Sequence, residues 1–137
     1  MWIVYGLLSA LFAALTSILA KSGMERVDSN LAAGLRIGVA FLLLWAIVFA
    51  TGKHRGLTQI GTRALITVTL SGIAAGLSWV LYYKALQVGE AAKVMSLDKM
   101  SIVFGLILAF TVLREPALPK SIIGGLLITA GAAVMVL

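Results

Sequence analysis

Apolar residues fill this chain in five long blocks, and the polar residues gather between them. The blocks cover residues 2–22, 30–51, 63–87, 92–113 and 119–137. Each is close to the roughly 20 residues needed to cross a hydrocarbon core about 30 Å thick. Each is predicted to be helical, because lipid supplies no partner for a free backbone N–H or C=O. The expected fold class is an all-α membrane protein with five transmembrane helices, short loops and a single domain over residues 1–137. An odd number of spans puts the two ends of the chain on opposite faces. The loops leave no room for a soluble domain, so the activity is expected inside the membrane.

The connections are residues 23–29, 52–62, 88–91 and 114–118. Links this short force neighbouring helices to pack antiparallel. Asp28, Ser29 and Asn30 can cap the second helix, and Pro119 suits the first turn of the fifth. Gly52 and Gly89 suit C-terminal stops.

Composition narrows the function. Hydrophobic residues make up 61% and charged residues 12%, the latter about half the share of a soluble domain. There is no cysteine, which removes disulfides and thiolate metal sites. No metal-ligand cluster, nucleophile–base–acid set or phosphate-binding glycine loop occurs. No cofactor, no metal and no enzymatic activity are therefore expected. The single histidine, His54, lies in a polar loop and reads as a solvated residue. In a soluble protein the net charge of +6 would suggest nucleic acid. Here the basic residues sit mostly at span ends, which fits anionic lipid headgroups instead. The first apolar run is long enough to span and has no lysine or arginine ahead of it, so it does not read as a signal peptide.

Lysine and arginine positions set orientation. Lys53, Arg55, Arg63, Arg114 and Lys120 fall on one face. Lys21, Arg26, Lys84 and Lys93 fall on the other, with Arg36 and Lys99 deeper in the spans. Five against four, or five against six, is close to no bias. Two readings stay open: blurred span ends, or dual topology with copies inserted both ways.

Small residues recur at four-residue spacing, which lets helix backbones approach in lipid. Gly34 and Gly38 lie on the second span, Gly72 and Gly76 on the third, and Gly125, Thr129 and Ala132 or Ala133 on the fifth. Contact within one subunit accounts for most of them. The fifth-span face is a candidate subunit contact.

The third span carries a polar stripe. Thr67, Ser71, Ala74, Ser78 and Tyr82 fall near one helix face, with Trp79 and Tyr83 beside its lower half. Such a stripe can line a wet cavity, or its hydroxyls can bond back to their own helix. Its aromatics can instead form an interfacial belt. Charges within spans are expensive and usually face a bundle interior or water. Arg36 and Asp98 lie about two turns into the second and fourth spans, which start from the same face. Lys21, Arg36, Lys84, Asp98 and Lys99 thus converge toward one side. In one explanation Arg36 or Lys84 pairs with Asp98 while the other cations snorkel to headgroups. In the other, excess positive charge attracts an anionic or zwitterionic substrate, with Asp98 as a protonation site. Glu115 is expected to end the fourth helix and favour the N-terminus of the fifth.

Several segments resemble a known family. Tyr82-Tyr83-Lys84-Ala85-Leu86-Gln87-Val88-Gly89-Glu90-Ala91 is similar to the third-helix end of EamA-type drug/metabolite transporters. Leu97-Asp98-Lys99-Met100-Ser101 resembles a stretch of their short five-helix members. Leu113-Arg114-Glu115 resembles their Leu-Gly-Glu ending of the fourth helix, with Arg114 in place of the glycine. The run Ile123 to Gly131 resembles their fifth-helix pattern, and Leu35-Arg36 their second-helix arginine. The resemblance implies one EamA-like repeat. Longer members carry two such repeats of opposite orientation, so a single repeat would need a second copy, and near-equal charge counts fit an antiparallel homodimer. It implies a multi-pass inner-membrane secondary transporter or exporter of a small metabolite or drug, working by alternating access. Short four-helix relatives use a first-helix glutamate that this chain lacks, so their coupling is not carried over. The candidate substrate-binding residues are Trp79, Tyr82, Ser78, Ser71, Arg36, Asp98 and Lys84, with Ser9, Thr16 and Ser17 as first-span contributors. The competing reading is a non-transporting membrane subunit, or half of a heteromeric lipid-linked sugar flippase.

Overall fold

Local chemistry starts and stops the helices. A computed structural model describes residues 1–137, the side chain of Glu25 excepted. Its helices are α1 (Trp2–Gly23), α2 (Ser29–Ala50), α3 (Thr62–Val88), α4 (Ala91–Asp98), α5 (Met100–Thr111) and α6 (Pro119–Val136). Short 3₁₀ turns cover Met24–Arg26 and Lys53–Gln59, and no strand occurs among the described residues. Of the three residues expected to cap α2, Asp28 does so: its carboxylate accepts from the N–H groups of Asn30 and Leu31, at 2.9 and 3.2 Å. Gly52 takes the left-handed conformation (φ 68°) just past α2, where a side chain would be strained. Pro119 sits in the first turn of α6, behind an extended Leu118.

Two expectations about the fourth span need correction. It is not one helix over 92–113. A 3₁₀ step at Lys99, whose N–H donates to the Ser96 carbonyl at 3.1 Å, separates α4 from α5. The Ser96 hydroxyl bonds back to the Ala92 carbonyl at 2.8 Å, a contact that bends helices. Nor does Glu115 end it. The helix stops at Thr111, and Pro116 disfavours helical backbone at Glu115 itself. The exit turn is made with Arg114 in the left-handed region, φ 55°. Taken together, Ala91–Thr111 is still one membrane-crossing length, and five such segments are long and apolar enough to span.

The chain divides into two units, residues 1–18 with 88–137, and residues 19–87. In the first, α6 packs along α4 and α5. Gly125 and Ala132 are buried there, and a Cβ at Gly125 would stand 3.0 Å from Leu106 Cδ1. The fifth-span small-residue face is therefore used inside the protomer, not left for a subunit contact. In the second unit, Met24, Ser29, Ala33, Tyr83 and Leu86 are buried. Two long-range hydrogen bonds tie its ends: Lys21 Nζ donates to the Leu86 carbonyl at 2.6 Å, and Gln87 Nε2 to that of Val27 at 3.3 Å. A Cβ added at Gly34, Gly38, Gly72 or Gly76 would meet nothing within 4 Å. No neighbour stands as close to these four positions as Leu106 does to Gly125.

The apolar windows of the five spans are 0–11% buried. Lipid is as apolar as leucine, so such surfaces carry no penalty in a bilayer. His54 departs from the solvated reading. It is half-buried and ends an aromatic row: Phe41–Trp45 at 6.1 Å, Trp45–Phe49 at 5.6 Å and Phe49–His54 at 5.2 Å between ring centroids.

Candidate functional site

Trp79 and Tyr83 are one helical turn apart on α3, so their rings stand on one face. Arg36 lies seven residues into α2, about 10 Å along its axis. Its guanidinium carbon stands over both rings, 5.0 Å from the Trp79 centroid and 5.6 Å from that of Tyr83. Tyr83 is 2% exposed, whereas Trp79 and Arg36 are half-buried. Tyr82 adds an edge contact to Tyr83, with ring centroids 6.4 Å apart. A cation held by two ring faces is attracted by their quadrupoles, by about 0.5–1 kcal/mol when exposed and about 2 or more when desolvated.

The structure thus brings Arg36 to Trp79 and adds Tyr83, which was absent from the expected site; Tyr82 meets the ring of Tyr83. The signal for Tyr83 lay in its four-residue spacing from Trp79. Ser71 and Ser78 are exposed on α3, and their hydroxyls have no hydrogen-bond partner among the described residues. Thr67 differs: it donates to the Arg63 carbonyl at 2.8 Å, as the back-bonding alternative required. Lys84 is exposed toward the C-terminal end of α3. Asp98 belongs to the other unit, where it has Lys99 as an ion partner at 3.9 Å, both groups well exposed. Arg36 forms no ion pair with a described carboxylate; its partners are rings. The first-span hydroxyls of Thr16 and Ser17 bond back to the Phe12 and Ala13 carbonyls, at 2.8 and 2.9 Å.

The first unit holds a feature not anticipated from sequence, an apolar cavity of about 350 Å³ lined by Ile18, Ala92, Met95, Ser96, Lys99 and Met135. It lies against the break between α4 and α5. Ser96 bridges its wall, donating to Met135 Sδ at 2.9 Å. Among the described residues no group of three or more His, Cys, Asp or Glu could hold a metal ion.

The sequence model of the EamA-like transporter family matches residues 1–137. A protein described as an uncharacterized transporter in the cobO 3' region, from a Sinorhizobium species, is 40% identical over 134 residues, covering 98% of this chain and 95% of that protein. No solved structure matches the chain.

Proposed function

The chain belongs to the EamA-like transporter family, and from that premise we propose a secondary transporter that moves a small metabolite or drug across the inner membrane. It works by alternating access, as a pair of five-span copies around a shared polar crevice. The crevice is lined by Arg36, Trp79 and Tyr82 with the hydroxyls of Ser71 and Ser78, and Lys84 adds charge at its margin. The observation that carries this reading is the Arg36 guanidinium held over the Trp79 and Tyr83 rings of α3. A charge within a span is retained where it meets water or a substrate path. An odd span count with nearly balanced lysine and arginine supports copies of opposite orientation, the arrangement that places a substrate site at a midplane.

The absence of cysteine makes the test direct. Ser71→Cys and Ser78→Cys are each reconstituted in liposomes and exposed to a charged thiosulfonate reagent, with Leu77→Cys as the neighbouring apolar control. Fast labelling of both serine positions with an inert control is the expected result. Solute efflux from the same liposomes should slow on labelling. Three equally inert positions, or labelling without any effect on flux of any tested solute, would refute the crevice. Reporter fusions at the C-terminus test the pairing: comparable activity of cytoplasmic and external reporters is expected, and one strong reporter alone excludes opposite insertion.

A further inference from the structure

We propose that Arg36 is an oxyanion receptor, and that the transported solute carries a carboxylate or phosphate that docks on its guanidinium. This rests on the transporter reading and adds the chemical class of the substrate. A guanidinium presents five N–H donors in a rigid planar fork. In this chain none of them meets a protein acceptor: Arg36 has no hydrogen bond and no ion pair among the described residues. Two other span cations have partners of their own. Lys21 donates to the Leu86 carbonyl at 2.6 Å, and Lys99 has Asp98 beside it.

The rings of Trp79 and Tyr83 hold the arginine by its charge alone. They attract the cation through their faces, and the Tyr83 hydroxyl accepts no hydrogen bond from the fork. A carboxylate partner would have satisfied the charge and closed the donors together. The base of the cradle is packed. Tyr83 is 2% exposed, and Ala33, one turn before Arg36 on α2, is also 2% exposed. A fixed fork with unfilled donors matches the two oxygens of a carboxylate or phosphate in bidentate geometry. A transported solute and a lipid headgroup phosphate share this chemistry, and the experiment separates them.

Trp79 reports on the site directly. With Trp2→Phe and Trp45→Phe it becomes the sole indole, and the protein is held in a maltoside detergent that carries no oxyanion. Benzoate, benzamide and benzylammonium are the probes, alike in ring and different in charge. Benzoate should change Trp79 emission saturably, and the other two should not. Arg36→Gln should abolish the response. Arg36→Lys keeps the charge, loses the fork and should weaken benzoate about tenfold; it carries the test if the glutamine variant fails to fold. Equal responses to all three probes, no response to any, or a response that survives at Arg36→Gln overturns the proposal. Phosphatidylglycerol is then added. An unchanged benzoate midpoint assigns the fork to solute, whereas a midpoint rising in step with the lipid overturns the substrate assignment. Emission needs no flux, so the two readings fail separately. Transport of a neutral solute with Trp79 silent removes this inference alone, and a benzoate response in protein that moves no solute removes the transporter reading alone.

Discussion

Arg114 is the residue at which backbone strain can be read as stability. It is the sole non-glycine residue with positive φ among the described residues, at 55°. An L side chain in the left-handed region costs about 1–2 kcal/mol. The turn it closes is hydrogen-bonded: the N–H groups of Val112 and Leu113 both reach the Leu108 carbonyl, at 2.8 and 3.4 Å, and that of Glu115 reaches Ala109 at 3.1 Å. Arg114→Gly keeps those bonds and removes the strain. Glycine frees the unfolded chain, which gives back about 0.5–1 kcal/mol. Losing a cation near the C-terminus of α5 takes about 0.3 kcal/mol more. The net is a stabilisation of about 0.5 kcal/mol, or a melting shift of about 2 °C for a chain of this size. Arg114→Lys keeps both charge and strain and should not move. Arg114→Val puts a branched Cβ in the same region and should melt several degrees lower, since such a residue is an outlier there. The assay is the fraction of monodisperse protein left after heating in detergent. The expected order is Gly above Arg and Lys, and Val below. Valine equal to glycine would show that the left-handed turn is not formed.

Further substitutions at four positions test the packing and capping. Lys21→Met removes the 2.6 Å donation to the Leu86 carbonyl and should cost about 1.5–3 kcal/mol, the value of a hydrogen bond from a charged donor; thermal melting reads it, and an unchanged melting point refutes the tie. Asp28→Ala leaves the Asn30 and Leu31 N–H groups without their cap; about 1 kcal/mol is lost, those two amides should exchange faster with deuterium, and Asp28→Ser should restore protection. Gly125→Leu drives a side chain at Leu106, only 3.0 Å from the position of its Cβ; it should destabilise by about 1–3 kcal/mol. Gly72→Ala, with open space around its Cβ, should be neutral or stabilising by up to about 1 kcal/mol in the isolated protomer, and equal losses at the two glycines would refute the packing of α6 on α5.

The features legible in the sequence are those that short-range chemistry decides. The spans follow from apolar run length, the α2 cap from Asp28, the α2 stop from Gly52 and the α6 start from Pro119. Each needs only a residue and its near neighbours. The features missed depend on what lies across from a residue. Gly125 and Gly72 read alike in sequence, yet one faces Leu106 and the other faces nothing within 4 Å. The break at Lys99 leaves no mark on the hydrophobic pattern. His54 read as a solvated loop residue because its stacking on Phe49 needs the 3₁₀ turn after Gly52 to fold it back. The candidate site was half legible: Arg36, Trp79 and Tyr82 were named from depth and helical spacing, while Tyr83 and the stacking itself depend on how α2 and α3 are set in register.

That stacking bears on how an arginine can sit in a span without losing its use. Pairing Arg36 with a carboxylate would lower the cost of its charge in low dielectric and occupy its donors at once. A bound anion would then have to break a pair formed in a medium where Coulomb terms are large. Aromatic faces separate the two effects. They stabilise the cation by up to about 2 kcal/mol, enough to hold the guanidinium in one place, and leave the N–H fork for an exchangeable oxyanion. An entering carboxylate therefore displaces no resident anion. A transporter must also release what it binds, and a site stabilised mainly by rings keeps its shape when the anion leaves. Arg36→Lys tests that separation. An ammonium keeps the charge and can still be held by the rings, but it lacks the planar fork, so the fold should persist while benzoate affinity falls.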